Sequence, residues 1–195
     1  LTILEGYGLT ETSPVTNANT LEHFRIGSVG KPAPNTEIKI AQDGEILIRG
    51  PQVMKGYWEM PEETRNVLDQ GWLYSGDMAV MDEEGFFRIV DRKKDVIISA
   101  GMNIYPREVE EVLDQHPQIV EAAVVGIASA VREEVPKAYI VVEEGQELSK
   151  QEVIQFCQDK LAKYKIPKRI EFVEELPKSA LGKVLKRVLR EESHS

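Results

Sequence analysis

The stretch DRKKDVIISAGMNIYPREVEEVL, residues 91–113, separates two kinds of sequence pattern. It opens on the charged run Asp91-Arg92-Lys93-Lys94-Asp95, crosses an apolar segment, and ends in a helical repeat behind Pro106. Proline suits a first helical position, because an N–H there has no intrahelical acceptor to lose. Val109, Val112 and Leu113 then share one face of a helix expected to run to about His116.

Upstream, the pattern is that of antiparallel strands. Glu37-Ile38-Lys39-Ile40 alternates polar and apolar, Gln42-Asp43-Gly44 turns, and Glu45-Ile46-Leu47-Ile48 returns. Ala79-Val80-Met81, Asp82-Glu83-Glu84-Gly85 and Phe86-Phe87-Arg88-Ile89-Val90 repeat the same plan. Pro32, Pro34, Pro51 and Pro61 fit turns and loops, so residues 37–90 read as a small distorted barrel or sandwich. Leu1-Thr2-Ile3-Leu4 reads as a buried strand running into a turn at Gly6-Tyr7-Gly8. Such an abrupt start against a motif suggests a fragment of a longer chain, whereas the polar residues 191–195 look like a natural end.

Downstream, Ile119 to Ile127, Ala138 to Val142 and Ile170 to Val173 read as three strands. Ser149-Lys150-Gln151-Glu152 is a capping box, followed by Val153, Phe156, Cys157 and Leu161 on one helical stripe. Val184, Leu185, Val188 and Leu189 mark a final amphipathic helix. The fold class is therefore α+β, with a boundary in the charged run and domains at 1–92 and 93–195.

The 195 residues carry 24 basic and 33 acidic side chains, a net charge of −9 that argues against a nucleic-acid partner. No apolar run approaches the ~18 residues of a membrane span, and the expected location is cytoplasmic. One cysteine, Cys157, excludes an intrachain disulfide framework, and its place on the apolar stripe favours a packed thiol over a nucleophile. His23, His116 and His194 lack the spacing of a zinc site.

Three segments could carry chemistry. Gly6-Tyr7-Gly8-Leu9-Thr10-Glu11-Thr12 combines glycines, hydroxyls able to bond phosphate oxygens, and one carboxylate able to hold Mg²⁺; alone, it reads more readily as a strand-ending turn. Gly71-Trp72-Leu73-Tyr74-Ser75-Gly76-Asp77 ends on an acid that could accept hydrogen bonds from ribose hydroxyls or cap its own backbone. Pro177-Lys178-Ser179-Ala180-Leu181-Gly182-Lys183 puts a lysine at the expected start of the last helix, where the macrodipole disfavours a cation. Residues 160–190 hold ten basic and three acidic residues, fitting a solvated face or attraction of a polyanionic ligand or anionic lipid.

In this order, the segments resemble the adenylate-forming superfamily of acyl-CoA synthetases, luciferases and peptide-synthetase adenylation domains. The matching stretches are YGLTETSP at 7–14, GWLYSGD at 71–77, residues 91–113, and PKSALGK at 177–183. The ISAGMNIYPREVE run is most similar to fatty-acid CoA ligases. The resemblance implies that a carboxylate is activated with ATP to an acyl-adenylate and passed to CoA. The implied fold is the end of a large domain with a distorted antiparallel β-barrel, then a small mobile domain with a three-stranded sheet.

The same resemblance implies roles for individual residues. Tyr7 would lie against adenine, Thr10 would bond phosphates, and Glu11 would hold Mg²⁺. Asp77 and Arg92 would bind the ribose hydroxyls. Lys183 would bridge the carboxylate and α-phosphate, Lys94 would be the hinge, and Gly101 would line the path of the pantetheine arm. Expected ligands are ATP or AMP, a fatty acid and CoA, with at most peripheral membrane contact and self-association left open. The family's phosphate loop, expected before Tyr7, and most of its acyl pocket are not in the sequence. Residues 128–134 depart from the usual Asp and Gly, so a local conformational difference is expected there. A ligase for an aromatic or other small acid, or a non-catalytic binding module, are the alternatives.

Overall fold

The computed structural model describes residues 2–193 as two compact units that divide between Lys94 and Asp95. Leu1, His194 and Ser195, which the sequence reading used at the two chain ends, lie outside the described residues.

The first unit is almost entirely β. Its strands are β1 (Gly6–Gly8), β2 (Val15–Ala18), β3 (Lys31–Pro32), β4 (Glu37–Ile40) and β5 (Glu45–Arg49). Helix α1 (Pro61–Val67) precedes β6 (Leu68–Asp69), β7 (Trp72–Met81) and β8 (Phe87–Arg92). β1, β2 and β3 form one antiparallel sheet. The others form a curled, open antiparallel sheet in the order β4-β5-β7-β6, with β8 also on β7. Both expected hairpins are present, because alternation puts Ile46 and Phe87 into one core with Ala79.

Three local expectations need correction. Gly6-Tyr7-Gly8 is a strand rather than a turn, since Gly6 and Tyr7 pair with Ala18 and Asn17. Thr2 to Glu5 is irregular and exposed, with Ile3 82% accessible, so the described part of the opening segment is no buried strand. Pro61 starts helix α1 rather than a loop, using the helix position that needs no N–H.

The second unit begins with β9 (Ile97–Ser99) and β10 (Met102–Ile104), followed by α2 (Pro106–Leu113). Next come β11 (Ile119–Ser129), β12 (Glu133–Val142), α3 (Lys150–Gln158), β13 (Arg169–Phe172) and α4 (Lys186–Glu192). The three expected strands form β11-β12-β13, and the β9–β10 hairpin extends them to five. That hairpin escaped the sequence reading because its strands are three residues each. Of the departing residues 128–134, Ala128 and Ser129 pair with Glu134 and Glu133 in the β11–β12 ladder, and 130–132 form the tight connection between the strands.

Both faces of this sheet are covered. Val124, Ala138 and Ile140 join Val109 and Leu113 of α2 and Val153 and Cys157 of α3 in one core. Ala123, Val125 and Tyr139 join Leu176 and Leu189 in the other. Alternate residues thus enter opposite cores, which is why these strands read as continuous apolar runs. The Ser149 capping box is formed: Glu152 N–H donates to Ser149 Oγ at 3.3 Å, and Ser149 N–H to Glu152 Oε2 at 2.9 Å.

Leu113 is fully buried where α2 meets this core. Leu113→Ala should destabilise the second unit by about 2–5 kcal/mol, through lost transfer energy and the cavity left behind. Urea unfolding followed by far-ultraviolet circular dichroism measures the loss.

Candidate functional site

Tyr7, Asp77 and Arg92 meet in the first unit although 85 positions separate the first from the last. Tyr7 lies on β1, and its hydroxyl donates to Asp77 Oδ2 at 2.7 Å. Asp77 faces Arg92 across the β7–β8 ladder, with Nε 4.0 Å from Oδ1. Burial of Tyr7, followed by its bond to the Asp77 carboxylate, pushes the phenol above its ordinary range. Tyr7 therefore stays a donor, and the Asp77 carboxylate keeps oxygen lone pairs for other donors.

Thr10 and Glu11 lie in the 3₁₀ turn Thr10–Thr12 that follows β1. Buried Thr12 ties the turn: Leu9 N–H donates to its Oγ1 at 2.9 Å, and its hydroxyl donates to Pro14 O at 2.9 Å. Glu11 Oε1 accepts the Tyr57 hydroxyl at 2.9 Å. That bond to a carboxylate raises the Tyr57 pKa, so Tyr57 also remains a donor. Glu11, Glu45, Tyr57, Ser75, Gly76 and Lys93 line one cavity of about 280 Å³ that is open to solvent, and Asp77 follows the lining residue Gly76 in the chain.

Of the three other expected residues, Lys94 belongs to the first unit, and Gly101 and Lys183 belong to the second. Lys94 is exposed, in the 3₁₀ turn Lys93–Asp95, as the last residue of the first unit. Lys93 before it is ion-paired to Asp43 and Glu45, at 2.8 and 2.7 Å, within the first unit. Asp95 after it is ion-paired to Arg190 within the second. Gly101 turns the β9–β10 hairpin with Ala100, at φ 76° and 51°. Two successive positive φ values define the tight turn that glycine accommodates at least cost. A Cβ there would meet nothing within 4 Å, so the backbone conformation already accounts for the glycine.

Lys183 corrects the sequence reading. It does not begin the last helix, because α4 starts at Lys186. Instead the chain folds back on itself: Ser179 N–H donates to Lys183 O at 2.8 Å, and Lys178 bridges Val184. Lys183 is exposed on this narrow loop, so the macrodipole argument does not apply to it.

Tyr57, Glu45 and Lys93 were missed by the sequence reading, since each acts on a partner at least 31 positions away. A second cavity, of about 220 Å³ in the second unit, is walled by Arg132, Lys163, Tyr164 and Lys168. The only signal for it was the basic excess of residues 160–190. No group of three or more potential metal ligands occurs among the described residues, and His116 packs edge-on against Phe156. No described helix is long and apolar enough to cross a membrane.

The profile described as AMP-binding enzyme matches residues 1–58, and that of the AMP-binding enzyme C-terminal domain matches residues 108–183. The chain belongs to the adenylate-forming superfamily. It is 50% identical to the long-chain-fatty-acid–CoA ligase of Bacillus subtilis, over 97% of this chain and 36% of that relative. It is 42% identical to the 2-succinylbenzoate–CoA ligase of Bacillus mycoides, over 96% of this chain and 41% of that relative. The ATP-bound structure of MatB from Rhodopseudomonas palustris is similar at TM-score 0.91 and 36% identity, over 98% of this chain and 41% of that one. The chain thus spans little more than a third of the length of the curated relatives it matches.

In this member of the superfamily, Cys157 is fully buried and burial pushes its thiol up to about 11. A thiol held neutral in a core is a poor nucleophile. Ellman's reagent at pH 8 should therefore leave the folded protein unmodified and titrate one thiol after denaturation. Fast reaction of the native protein would reopen a chemical role for Cys157. Because the folded pKa is raised, the unfolded chain loses this proton first. The stabilising contribution is complete below about pH 9 and falls away as pH rises towards about 11.

Proposed function

We propose that this chain is the C-terminal part of an AMP-forming long- or medium-chain fatty-acid CoA ligase. Its first unit, to Lys94, would end the large domain, and its second unit, from Asp95, would form the mobile lid, a boundary two residues later than the sequence pattern suggests. The observation that carries the reading is the Tyr7–Asp77–Arg92 cluster beside a cavity lined by Glu11. Asp77 offers carboxylate oxygens to the two hydroxyls of a ribose, and Arg92 adds a cation on the same edge. Tyr7 would border the adenine. Thr10, exposed in its turn, would donate to phosphate oxygens.

Glu11 fits a Mg²⁺ ion, which takes one or two carboxylates together with phosphate oxygens and would neutralise charge on them. Its one observed partner, the Tyr57 hydroxyl, leaves the other carboxylate oxygen for such a contact. Lys183 would supply a cation to the charge that develops between the acid and the α-phosphate. The hinge reading of Lys94 is supported by its neighbours, each held by ion pairs to a different unit. Gly101 would pass close to the pantetheine arm of CoA.

The second cavity would take the nucleotide end of CoA, since it is lined by one aromatic residue, Tyr164, and by three basic ones, Arg132, Lys163 and Lys168. The chain-length class rests on the fatty-acid ligase relatives, and the 2-succinylbenzoate relative favours a second reading in which the acid is aromatic.

Pyrophosphate exchange by the full-length enzyme, measured across saturated fatty acids and aromatic acids, tests the reading. Exchange should be fastest with long or medium acyl chains; a clear preference for an aromatic acid would establish the alternative. In the same enzyme, Lys183→Ala should lower exchange by ~10²–10³ while sparing thioester formation from supplied acyl-adenylate. Equal loss in both half-reactions would remove Lys183 from the adenylation step. Lys168→Ala should raise KM for CoA about tenfold, equivalent to ~1.4 kcal/mol, without changing KM for ATP.

A further inference from the structure

β7 is interrupted where it matters most. Against β5, Ile48 pairs with Leu73 and Leu47 with Tyr74, but Glu45 pairs with Met78. Two residues fewer on β5 than on β7 cover this interval, so Gly76 and Asp77 bulge out of the ladder. Bulged residues lose their ladder partners, and their backbone N–H groups need others. Asp77 N–H donates to Ser75 Oγ at 3.1 Å, and Gly76 N–H donates to Glu45 Oε1 at 2.9 Å.

Glu45 does more than fill that vacancy. Its other oxygen accepts Lys93 Nζ at 2.7 Å. Gly76 immediately precedes Asp77, and Lys93 immediately follows Arg92. One carboxylate therefore grips the sequence neighbour of each member of the Asp77–Arg92 pair. Glu45 lines the same cavity as Glu11, yet its side chain is only 4% exposed and both its oxygens are engaged, so it has little surface to offer a ligand. Asp43 reinforces the grip by accepting Lys93 Nζ at 2.8 Å, and these bonds raise the Lys93 pKa.

Stability alone does not call for this arrangement. Burying the Glu45 carboxylate gives up solvation that its attraction to a half-exposed lysine need not recover, and a well-packed apolar side chain in its place is commonly as stable. We propose that Glu45 is a positioning residue, acting through Lys93 and the Gly76 backbone to hold Asp77 and Arg92 at the spacing of a ribose diol. The inference rests on the proposed assignment of Asp77 and Arg92 to the nucleotide.

The test compares Glu45→Gln, Lys93→Met, their double variant and Asp77→Ala in the full-length enzyme, by adenylation kinetics. Glu45→Gln keeps an acceptor for Gly76 and loses the ion pair, whereas Lys93→Met removes the half-exposed partner. Each should raise KM for ATP roughly tenfold, as misplacement of binding groups does, and leave KM for the acid unchanged. The double variant should be no worse than the poorer single one, because both remove the same interaction. Losses that multiply in the double variant would mean that Lys93 meets the nucleotide on its own, and would overturn the proposal. So would an unchanged KM for ATP in Lys93→Met, which keeps the test decisive should Glu45→Gln fail to fold. Asp77→Ala is the control: if it too leaves KM for ATP unchanged, the nucleotide assignment itself falls; if it alone raises KM, only the role of Glu45 falls.

Discussion

The register of β7 against β8 decides which charges face one another. Ala79 pairs with Ile89, yet Met78 pairs with Asp91, so Val90 is an extra residue on β8. Without that bulge, regular pairing would set Asp77 opposite Asp91. Two carboxylates directly opposed across a ladder repel. With it, Asp77 stands opposite Arg92 and the pair becomes an acid and a base at one edge. A single inserted residue thus replaces a repulsive contact with an attractive one. The separate irregularity of β7 against β5 frees the Gly76 and Asp77 N–H groups, which Glu45 and Ser75 accept.

Much of the scaffold was legible in the sequence because one periodicity acted on each segment. Ile38 and Ile40 alternate towards the first core, and Val109 and Leu113 follow helical spacing into the second. Ser149 and Glu152 satisfy each other within one turn, so their capping box needs no tertiary information. The failures share a cause as well. Gly6-Tyr7-Gly8 carries turn composition, and only pairing with β2 makes it a strand. Lys183 sits in a fold-back that depends on Lys178 bridging Val184, which no local helix signal reveals.

The candidate site divides along the same line. Tyr7, Thr10, Glu11, Asp77 and Arg92 could be named from motif resemblance, and three of them do converge on shared bonds. The residues that orient them could not. Tyr57 reaches Glu11 across 46 positions and Lys93 reaches Glu45 across 48, and neither belongs to a spacing pattern. A tyrosine or lysine of this kind reads as surface until the fold supplies its partner. Gly101 shows the opposite case: a residue assigned to a ligand path has a sufficient local reason in its positive φ.

The same ion pairs bear on the proposed hinge. A hinge concentrates its φ/ψ change at few residues, which requires the neighbours on each side to hold still. Lys93 is held to Asp43 and Glu45, and Asp95 to Arg190, so Lys94 is the one residue between two tethers. Lys94 is itself exposed, so rotation about its backbone would drag no buried side chain out of a core. The Lys93 tether also adjoins Arg92, and loosening it would blur the ribose pair and the pivot together. On the proposed reading, Glu45 therefore couples the two: the carboxylate that fixes the nucleotide edge also fixes where the moving part of the chain begins.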